Sequence, residues 1–399
     1  MEKSLPQLRF PGFEGEWEEN MLGNLIKIKS GNSPSSFNLL KEGNYPFIKV
    51  EELNNCIKYQ NLSRFYCNES KNLVEKNSVI FPKRGAAILN NKVRINDCEI
   101  LMDSNMMAIT PIKDKINHEF LFYKIIKEEL YKIADTSTIP QINNKHIEPY
   151  RITFPDIIEQ TKIATFLTEV DKKLTALKQK KTLLEQYKKG VMQQIFSQQL
   201  RFKDDNGNDF PDWEEKKLGE IAKFSKGKNI SKSDISDDGI YECIRYGQLY
   251  THYKETINNI ISKTNLPAKK LVFSKYNDII IPASGETQLD IATASCVLKD
   301  GVALGGDLNI IKTDSNGVYL SYYLNYYKKQ DIANLAQGIS VVHLYAKQLS
   351  ILQLSIPILK EQTKIANFLS AIDEKINHCQ GQIEKMQVWK KGLLQQLFV

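Results

Sequence analysis

The chain has 399 residues, of which 42% are hydrophobic and 25% are charged, and its formal net charge is +7. This length exceeds one comfortable core, so two to four structural units are expected, and the composition excludes a disordered chain. The modest positive charge favours a polyanionic partner only slightly.

Neither a membrane span nor a disulfide framework is expected. No segment approaches the ~18 consecutive apolar residues that a spanning helix needs, and the first residues lack an apolar signal core. The six cysteines form no Cys-x-x-Cys pair and no zinc-finger spacing, which predicts free thiols in a reducing compartment. We therefore expect a cytoplasmic protein.

The first stretch, residues 1–156, is predicted to mix strands and helices. Residues 45–50 and 77–81 are short apolar runs bounded by turn residues, which is typical of strands. Apolar residues recur at helical spacing over 118–133, which predicts a helix there.

Residues 157–199 are predicted to form one long amphipathic helix. Its apolar residues recur in alternating steps of four and three, the pattern of a coiled coil, and Lys181 and Lys188 fill the missing places. We expect Asp156 to cap the helix, with Glu159 completing a capping box. The predicted seam consists of Leu167, Val170, Leu174, Leu177, Leu184 and Val191.

Residues 200–358 repeat the pattern of the first stretch. Trp213, with the two glutamates that follow it, echoes Trp17 and its own pair of glutamates. Arg245 likewise echoes Lys49 at the end of a strand-like run. The frame is kept while most residues between these anchors differ, so we infer one fold that carries two different surfaces.

Residues 359–399 are predicted to form a second long helix. The segment 159–164 returns letter for letter as 361–366, and further identities follow without a gap. Each apolar stripe needs a partner, and the other stripe has the right period; the alternative is that each helix folds back onto its own globular unit. The predicted seam of this helix consists of Leu369, Ile372, Ile376, Ile383, Met386 and Leu393.

No catalytic constellation is recognisable. Residues 211–216 contain the residue types of a nuclease metal site, a Pro-Asp pair and a Glu-x-Lys motif. Such sites place the two motifs on separate strands, so we interpret the segment as a turn and a charged helix start. The adenine-methylation motif Asn-Pro-Pro-Tyr/Phe, the dinucleotide-binding glycine motif and the phosphate-binding loop are all missing. The five histidines lack metal-ligand spacing. We expect no enzymatic activity, no metal and no cofactor.

Recognition of a partner remains, and two similar domains with an internal near-twofold axis suit duplex DNA, whose backbone has a dyad at every base pair. Lys and Arg contact phosphate or guanine, and Gln contacts adenine, although each such residue alone is more often a solvated surface charge. Lys49 and Arg245 are favoured because the duplication aligns them. The other candidates are Lys83, Arg84, Lys92, Arg94, Lys226, Lys228, Lys232, Lys275 and Gln288.

Several motifs resemble a known family. They are the opening segment 8–17, its echo at 200–202 and 210–213, and the pattern Pro-x-x-x-Glu-Gln-x-x-Ile at the start of both long helices. In combination they resemble the specificity subunits of type I restriction–modification systems, and the resemblance covers the whole chain.

The resemblance implies an α/β (α+β) fold with pseudo-twofold symmetry. Two target-recognition domains, at 1–156 and 200–358, would alternate with two spacer helices, at 157–199 and 359–399, that pair as an antiparallel coiled coil. Each domain would read one half of a split target in double-stranded DNA. The helices would set the spacer and dock two adenine-methyltransferase (modification) subunits, which restriction subunits then join. S-adenosylmethionine, Mg²⁺ and ATP are expected on those partners.

Two loops extend the resemblance to further residues. Residues 136–142 with Lys145 resemble the loop that closes the family's first recognition domain, and residues 337–344 with Lys347 are the counterpart. Such loops either contact DNA or only form turns, and both alternatives remain open.

Two alternatives remain at this point. The chain could be a coiled-coil scaffold that binds proteins without reading DNA, or a fused restriction enzyme without recognisable motifs. Tyr187 and Trp389 sit at matching places on the two helices, where they could dock the methyltransferase or pack inside the coil.

Overall fold

The computed structural model describes residues 5–136, 139–228, 230–338 and 341–399. The chain forms two compact units, one made of residues 1–179 and 380–399 and the other of residues 180–379. Each unit therefore contains one globular domain and a part of both long helices.

The first domain contains short strands and helices in alternation. The strands are β1 (Glu18–Met21), β2 (Ile26–Ser30), β3 (Tyr45–Ile48), β4 (Tyr59–Gln60), β5 (Tyr66–Cys67), β6 (Val79–Pro82), β7 (Arg94–Asn96), β8 (Leu101–Met102), β9 (Met106–Pro111) and β10 (Arg151–Phe154). The helices are α1 (His118–Glu128), α2 (Leu130–Ile133), α3 (Asn144–Ile147) and the long α4 (Ile157–Phe196). The sheets run in the orders β2-β9-β6-β7-β4, β5-β3-β8 and β1-β10. The strands predicted at 45–50 and 77–81 are thus confirmed as β3 and β6.

The helix predicted over 118–133 is wrong in one respect, because it is broken at Glu129, whose φ is 62°. The side chain of Asn91 holds the break. Its amide nitrogen donates to the carbonyl of Ile126 at 2.9 Å, and its oxygen accepts from the backbone N–H of Leu130 at 3.0 Å. The helical period continues across the break, which is why the sequence pattern did not reveal it.

The second domain repeats this topology. The strands are β11 (Glu214–Lys217), β12 (Ala222–Lys226), β13 (Tyr241–Ile244), β14 (Thr256–Ile257), β15 (Ser262–Thr264), β16 (Asp278–Pro282), β17 (Ser284–Gly285), β18 (Ser295–Val297), β19 (Ala303–Leu304), β20 (Leu308–Thr313), β21 (Val342–His343) and β22 (Gln353–Ile356). The helices are α5 (Leu218–Ile221), α6 (Gly247–Thr251), α7 (Gln288–Ile291), α8 (Gly317–Tyr326), α9 (Lys329–Leu335), α10 (Ala346–Ser350) and the long α11 (Leu359–Leu397).

The sheet orders of the second domain match those of the first domain strand for strand. They are β12-β20-β16-β18-β14, β15-β13-β19 and β11-β22, with the small pair β17-β21 in addition. The predicted fold class, two similar mixed α/β domains with two long helices, is confirmed. The helix start predicted within 211–216 is wrong, because Glu214–Lys217 is strand β11 and pairs antiparallel with β22. Three of the four residues of β11 are exposed and Lys216 is half-buried, which suits an exposed two-stranded ribbon.

The large sheet of each domain is covered on both faces. In the first domain Val79 and Phe81 face α1 and the long helices, while Ile80 faces a smaller core beneath β3 and β8. Ile279 and Ile281 of β16 face α8 and the long helices in the same way. This placement makes the long helices part of the domain cores.

The predicted seam residues are all buried or half-buried: Leu167, Val170, Leu174, Leu177, Leu184, Val191, Leu369, Ile372, Ile376, Ile383, Met386 and Leu393. Leu167, Val170 and Leu393 share one core with the first domain, and Leu369, Ile372 and Ile376 share another with the second domain. The two packing alternatives therefore coexist, since each apolar stripe serves both the other helix and a domain.

The helices run antiparallel within each unit, and an ion pair fixes their register. In the first unit Lys390 of α11 lies 2.6 Å from Asp171 of α4, and the hydroxyl of Tyr123 donates to the same carboxylate at 2.8 Å. In the second unit Lys188 of α4 lies 2.8 Å from Asp373 of α11, which also accepts from the hydroxyl of Tyr322. Lys188 and Lys390, which interrupt the apolar stripes, are thus paired across them, whereas Lys181 pairs with Glu185 on its own helix.

The start of α4 is tied to the beginning of the chain. Asp156 accepts hydrogen bonds from the N–H groups of Ile158 and Glu159 at 2.9 Å, which confirms the predicted cap. The predicted capping box is wrong, because the buried carboxylate of Glu159 binds the guanidinium of Arg9 through two bonds of 2.7 and 2.8 Å. A bidentate partner of this strength outcompetes the backbone N–H of the cap.

The start of α11 repeats this latch. Arg201 donates twice to the buried carboxylate of Glu361, each time at 2.8 Å. The next residue of each motif holds the turn before its helix: Gln160 donates to the carbonyl of Pro155 at 2.9 Å, and Gln362 donates to Pro357 at 2.8 Å. The repeated Glu-Gln pair is therefore structural in both halves.

Two further predictions concern the whole chain. All six cysteines are free thiols, as predicted. Among the described residues no helix combines the length and the apolar character that crossing a lipid bilayer requires.

The Lys–Asp pairs give a stability prediction. Replacing Asp171 by Ala leaves Lys390 largely buried without a partner, so we expect a loss of about 3 kcal/mol in the free energy of unfolding. The control is Glu169→Ala on the same helix, which removes an exposed ion pair with Lys172 and should cost at most about 0.5 kcal/mol. Urea unfolding followed by circular dichroism measures both, and equal losses would contradict the assignment.

Candidate nucleic-acid interface

A short three-stranded tip extends the large sheet of the first domain beyond the end of β6. The backbone N–H of Ile142 donates to the carbonyl of Lys83 at 2.9 Å, and that of Gly85 donates to Pro140 at 2.8 Å. Arg84 faces Gln141 in this antiparallel pairing, and Gln141 pairs on its other side with Asp135. Gly85 has a φ of 85°, which lets the chain leave the tip sharply.

The second domain carries the same tip. Ser284 faces His343 and Gly285 faces Val342 in the pairing of β17 with β21. His343 exchanges two backbone hydrogen bonds with Gln337 on its other side, at 2.7 and 2.9 Å. We call these two structures the first-domain tip (residues 83–85, 135 and 140–142) and the second-domain tip (residues 283–285, 337 and 342–344).

Several residues predicted from the sequence lie at or beside the tips. Lys83 and Arg84 belong to the first-domain tip itself. Lys145 in α3 and Lys347 in α10 are exposed on the short helices that follow the tips directly, and Gln288 is exposed at the start of α7. These residues are the part of the predicted site that the fold brings together.

Lys49 and Arg245 directly follow the equivalent strands β3 and β13, as the duplication implied. The ammonium group of Lys49 lies 4.1 Å from the centre of the Phe65 ring. The carbonyl of Ile48, just before Lys49, accepts from Asp103, and the N–H of Lys83 donates to Asn105. Lys49 and the first-domain tip therefore flank one turn.

Other predicted residues serve different roles or lie elsewhere. Arg94 donates to the backbone carbonyls of Cys56 and Val93 at 2.9 and 2.7 Å, and Lys92 donates to Asn54 at 2.7 Å. Lys275 precedes β16, so it lies at the opposite end of that strand from the second-domain tip. These residues are not gathered with the tips.

Lys226 is the last residue of β12, and Lys228 and Lys232 follow it in the chain. The ammonium group of Lys226 lies 5.4 Å from the centre of the Tyr345 ring, and that of Lys228 donates to the carbonyl of Lys269 at 3.4 Å. Ser137, Thr138, Ile339 and Ser340 of the two family-like loops fall outside the described residues, as does Asn229 after Lys228.

In each of the two domains, several of the predicted cations are not neutralised by described carboxylates. None of the following residues forms an ion pair within 4.0 Å across residues 5–136, 139–228, 230–338 and 341–399: Lys49, Lys83, Arg84, Lys145, Lys228, Arg245 and Lys347. Partial burial and the nearby charge of Arg84 lower the pKa of Lys83. Unpaired like charges held together favour an anionic partner.

Sequence reasoning missed Gln141, Ser284 and His343 as site residues. Gln141 and His343 lie within the quoted loops, but only the cross-strand register shows that they stand opposite Arg84 and Ser284. The signal available in the sequence was that the duplication aligns these positions while the residues at them differ between the two domains. In the part of the chain that the structure describes, no group of three or more His, Cys, Asp or Glu residues could hold a metal ion.

Comparison with known proteins identifies the class to which this arrangement belongs. Residues 14–186 and 211–386 each match the family model described as the type I restriction modification DNA specificity domain. These spans cover most of the chain, so the chain belongs to this family, and the resemblance inferred from the sequence motifs is confirmed.

The relatives extend over nearly the whole chain. The type I restriction enzyme MjaVIII specificity subunit of Methanocaldococcus jannaschii is 24% identical, over 98% of this chain and 93% of that protein. A putative type I restriction enzyme specificity subunit of Haemophilus influenzae, S.HindORF215P, is 21% identical over 92% and 89%.

Solved structures of low identity share the fold. The S subunit of a type I restriction–modification system from M. genitalium gives a TM-score of 0.61 at 16% identity, over 99% of both chains. A chain from a type I R-M structure concerned with complex assembly and conformational transition gives 0.56 at 14% identity, over 98% of this chain and 99% of that one.

Proposed function

We propose that the chain is the sequence-reading subunit of a type I restriction–modification complex and that its two domains read the two halves of a split DNA target. The observation that carries the proposal is the repeated tip, which presents a pair of polar side chains at the same place in both domains and is followed in each by a helix with an exposed lysine, Lys145 or Lys347. Family membership supports the same reading.

Each tip enters a major groove, which is wide enough for a short β ribbon. Lysines beside the tips, such as Lys49 and Lys145, contact phosphates and fix the position of the domain on the duplex. The residues that face the base edges differ between the tips, so each domain reads a different half-site.

The paired helices act as the spacer between the domains. The register set by Asp171–Lys390 and Lys188–Asp373 supports a fixed separation, because a slip would leave a lysine and an aspartate unpaired in each unit. The number of unread base pairs between the half-sites then follows from the helix length.

The same helices dock the methyltransferase subunits. Trp389 is 48% exposed in a groove that it shares with Leu177 and Met386, and Tyr187, its counterpart on the other helix, is 53% exposed. Large aromatic residues that stay half exposed are typical anchors of protein interfaces, and this exposure disfavours packing inside the coil. The double change Trp389→Ala and Tyr187→Ala should weaken methyltransferase association at least tenfold in calorimetry and leave DNA binding intact. The control Leu62→Ala, at an exposed residue of the first domain, should leave both methyltransferase association and DNA binding unchanged.

The chain itself supplies no chemistry in this proposal. S-adenosylmethionine, Mg²⁺ and ATP bind to the methyltransferase and restriction subunits, where modification and cleavage take place. The specificity chain determines which DNA sequence the complex binds.

Binding measurements test the proposal at the level of the pure chain. Gel shifts with duplex DNA should show binding whose affinity falls linearly with the logarithm of salt concentration, because phosphate contacts release counterions. Incubation with DNA, Mg²⁺ and S-adenosylmethionine should give neither cleavage nor methylation. An absence of DNA binding would favour the scaffold alternative, and cleavage or methylation would favour a fused enzyme.

Helix length gives a second test. Inserting one heptad after Gln179 in α4 and one after Gly381 in α11 lengthens the pair by ~10 Å while preserving its faces. Selection from a random duplex library should then return the same two half-sites with a spacer longer by about three base pairs.

The matched control inserts two residues at each place, which rotates the seam by about 200° to the opposite face of the helix and should abolish selection of the split site. Heptad-extended chains that keep the original spacer would contradict the role of the helices in spacing.

A further inference from the structure

Two polar side chains stand side by side at the first-domain tip. Arg84 and Gln141 face each other across the antiparallel pairing, so both project from the same face, and such neighbours have Cβ atoms about 5 Å apart. Arg84 is exposed and Gln141 is half-buried. Neither side chain hydrogen-bonds or forms an ion pair with any described residue.

The polar groups of these side chains therefore do not stabilise the fold through any described contact. Three arginines elsewhere in the chain have structural partners: Arg9 and Arg201 each make a bidentate pair with a buried glutamate, and Arg94 binds two carbonyls. Arg84 lies next to another cation, Lys83, and no described carboxylate lies within 4.0 Å of its guanidinium nitrogens. An external partner with acceptor atoms would satisfy it.

The two side chains match two bases. A guanidinium donates twice to O6 and N7 of guanine, and a glutamine amide pairs with N6 and N7 of adenine, each in the major groove. We propose that Arg84 and Gln141 are the base-reading pair of the first domain and that its half-site contains a guanine and an adenine at neighbouring base pairs. This inference rests on the proposed function.

The second-domain tip carries a different pair at the same register. Ser284 and His343 occupy the places of Arg84 and Gln141, and the His343 ring stacks on Tyr345 with centroids 6.0 Å apart and an interplanar angle of 15°. Neither Ser284 nor His343 can make the bidentate contact of arginine. The guanine and adenine read by the first tip are therefore not required in the other half-site.

An apolar residue accompanies each tip, which raises the alternative of a protein partner. Ile139 is 65% exposed and Val341 is 51% exposed, at equivalent positions. The unpaired cations beside the first tip favour nucleic acid, and an aliphatic side chain at a base edge fits the methyl group of thymine. Protein docking at this face is an outcome that the experiment distinguishes.

The experiment uses the full chain bound to its methyltransferase subunit. Selection from a random duplex library defines the target, and affinities are then measured for the target and for every single-base variant of it. Arg84→Ala should lose discrimination at one guanine by about tenfold or more, and Gln141→Ala should do so at one adenine of the same half-site. Arg84→Lys should not restore the discrimination, because lysine lacks the planar fork.

The matched control is Lys113→Ala, which removes an exposed cation from the turn after β9. This variant should keep every base preference. Thermal melting of each variant confirms that the fold is kept, since neither tip residue has a described side-chain partner.

Three results would overturn the inference. Unchanged preferences at every position would mean that the pair reads no base, and an equal loss of affinity on all sequences would make Arg84 a phosphate contact. A loss of methyltransferase binding with unchanged base preference would make the tip a docking face. Wild-type protein that fails to bind DNA would instead refute the proposed function.

Discussion

The ion pair between a lysine on one long helix and an aspartate on the other is the constraint on which the rest of the structure depends. Leucine and isoleucine seams tolerate a slip of one heptad, because every apolar residue finds another apolar residue. Lys188 and Lys390 do not tolerate it, since each is largely buried against an aspartate and a tyrosine hydroxyl is bound to the same carboxylate. Breaking such a pair costs several kcal/mol, roughly 3–5.

Within each unit this pair also connects the helices to the domain. Tyr123 belongs to α1 of the first domain, and Tyr322 belongs to α8 of the second. Because each tyrosine hydroxyl hydrogen-bonds to the aspartate of the ion pair, it fixes the position of the domain relative to the paired helices. The two surroundings differ in charge. Buried Lys58 binds Glu119 and Thr168 near Asp171, whereas Glu255 lies 3.5 Å from Lys188. The repeated scaffold thus accepts different neighbours without losing its central pair.

The sequence revealed the duplicated frame because the repeated residues hold that frame together. Arg9, Glu159 and Asp171 have counterparts that make the same bonds, so their repetition follows from packing. The heptad steps predicted the two long helices for the same local reason. Family membership followed from these motifs.

Long-range contacts were beyond the reach of the sequence. Glu159 looked like a capping residue, but its partner Arg9 lies far away along the chain. The break at Glu129 depends on Asn91, and the strand β11 depends on β22. Arg84 was predicted as a single cation, whereas its pairing with Gln141 appears only once two distant segments are in register. Local sequence patterns therefore predict helices and strands, whereas the candidate site depends on pairing between segments that are distant in the chain.

Mapping methylated adenines across the genome of a host that carries this chain and its methyltransferase subunit tests the central claim most directly. The proposed function, with one reading domain for each half-site and a fixed helix register, predicts one recurring target, made of two defined segments separated by a gap of constant length and undefined sequence. A continuous target, or a gap whose length varies from site to site, would contradict this account.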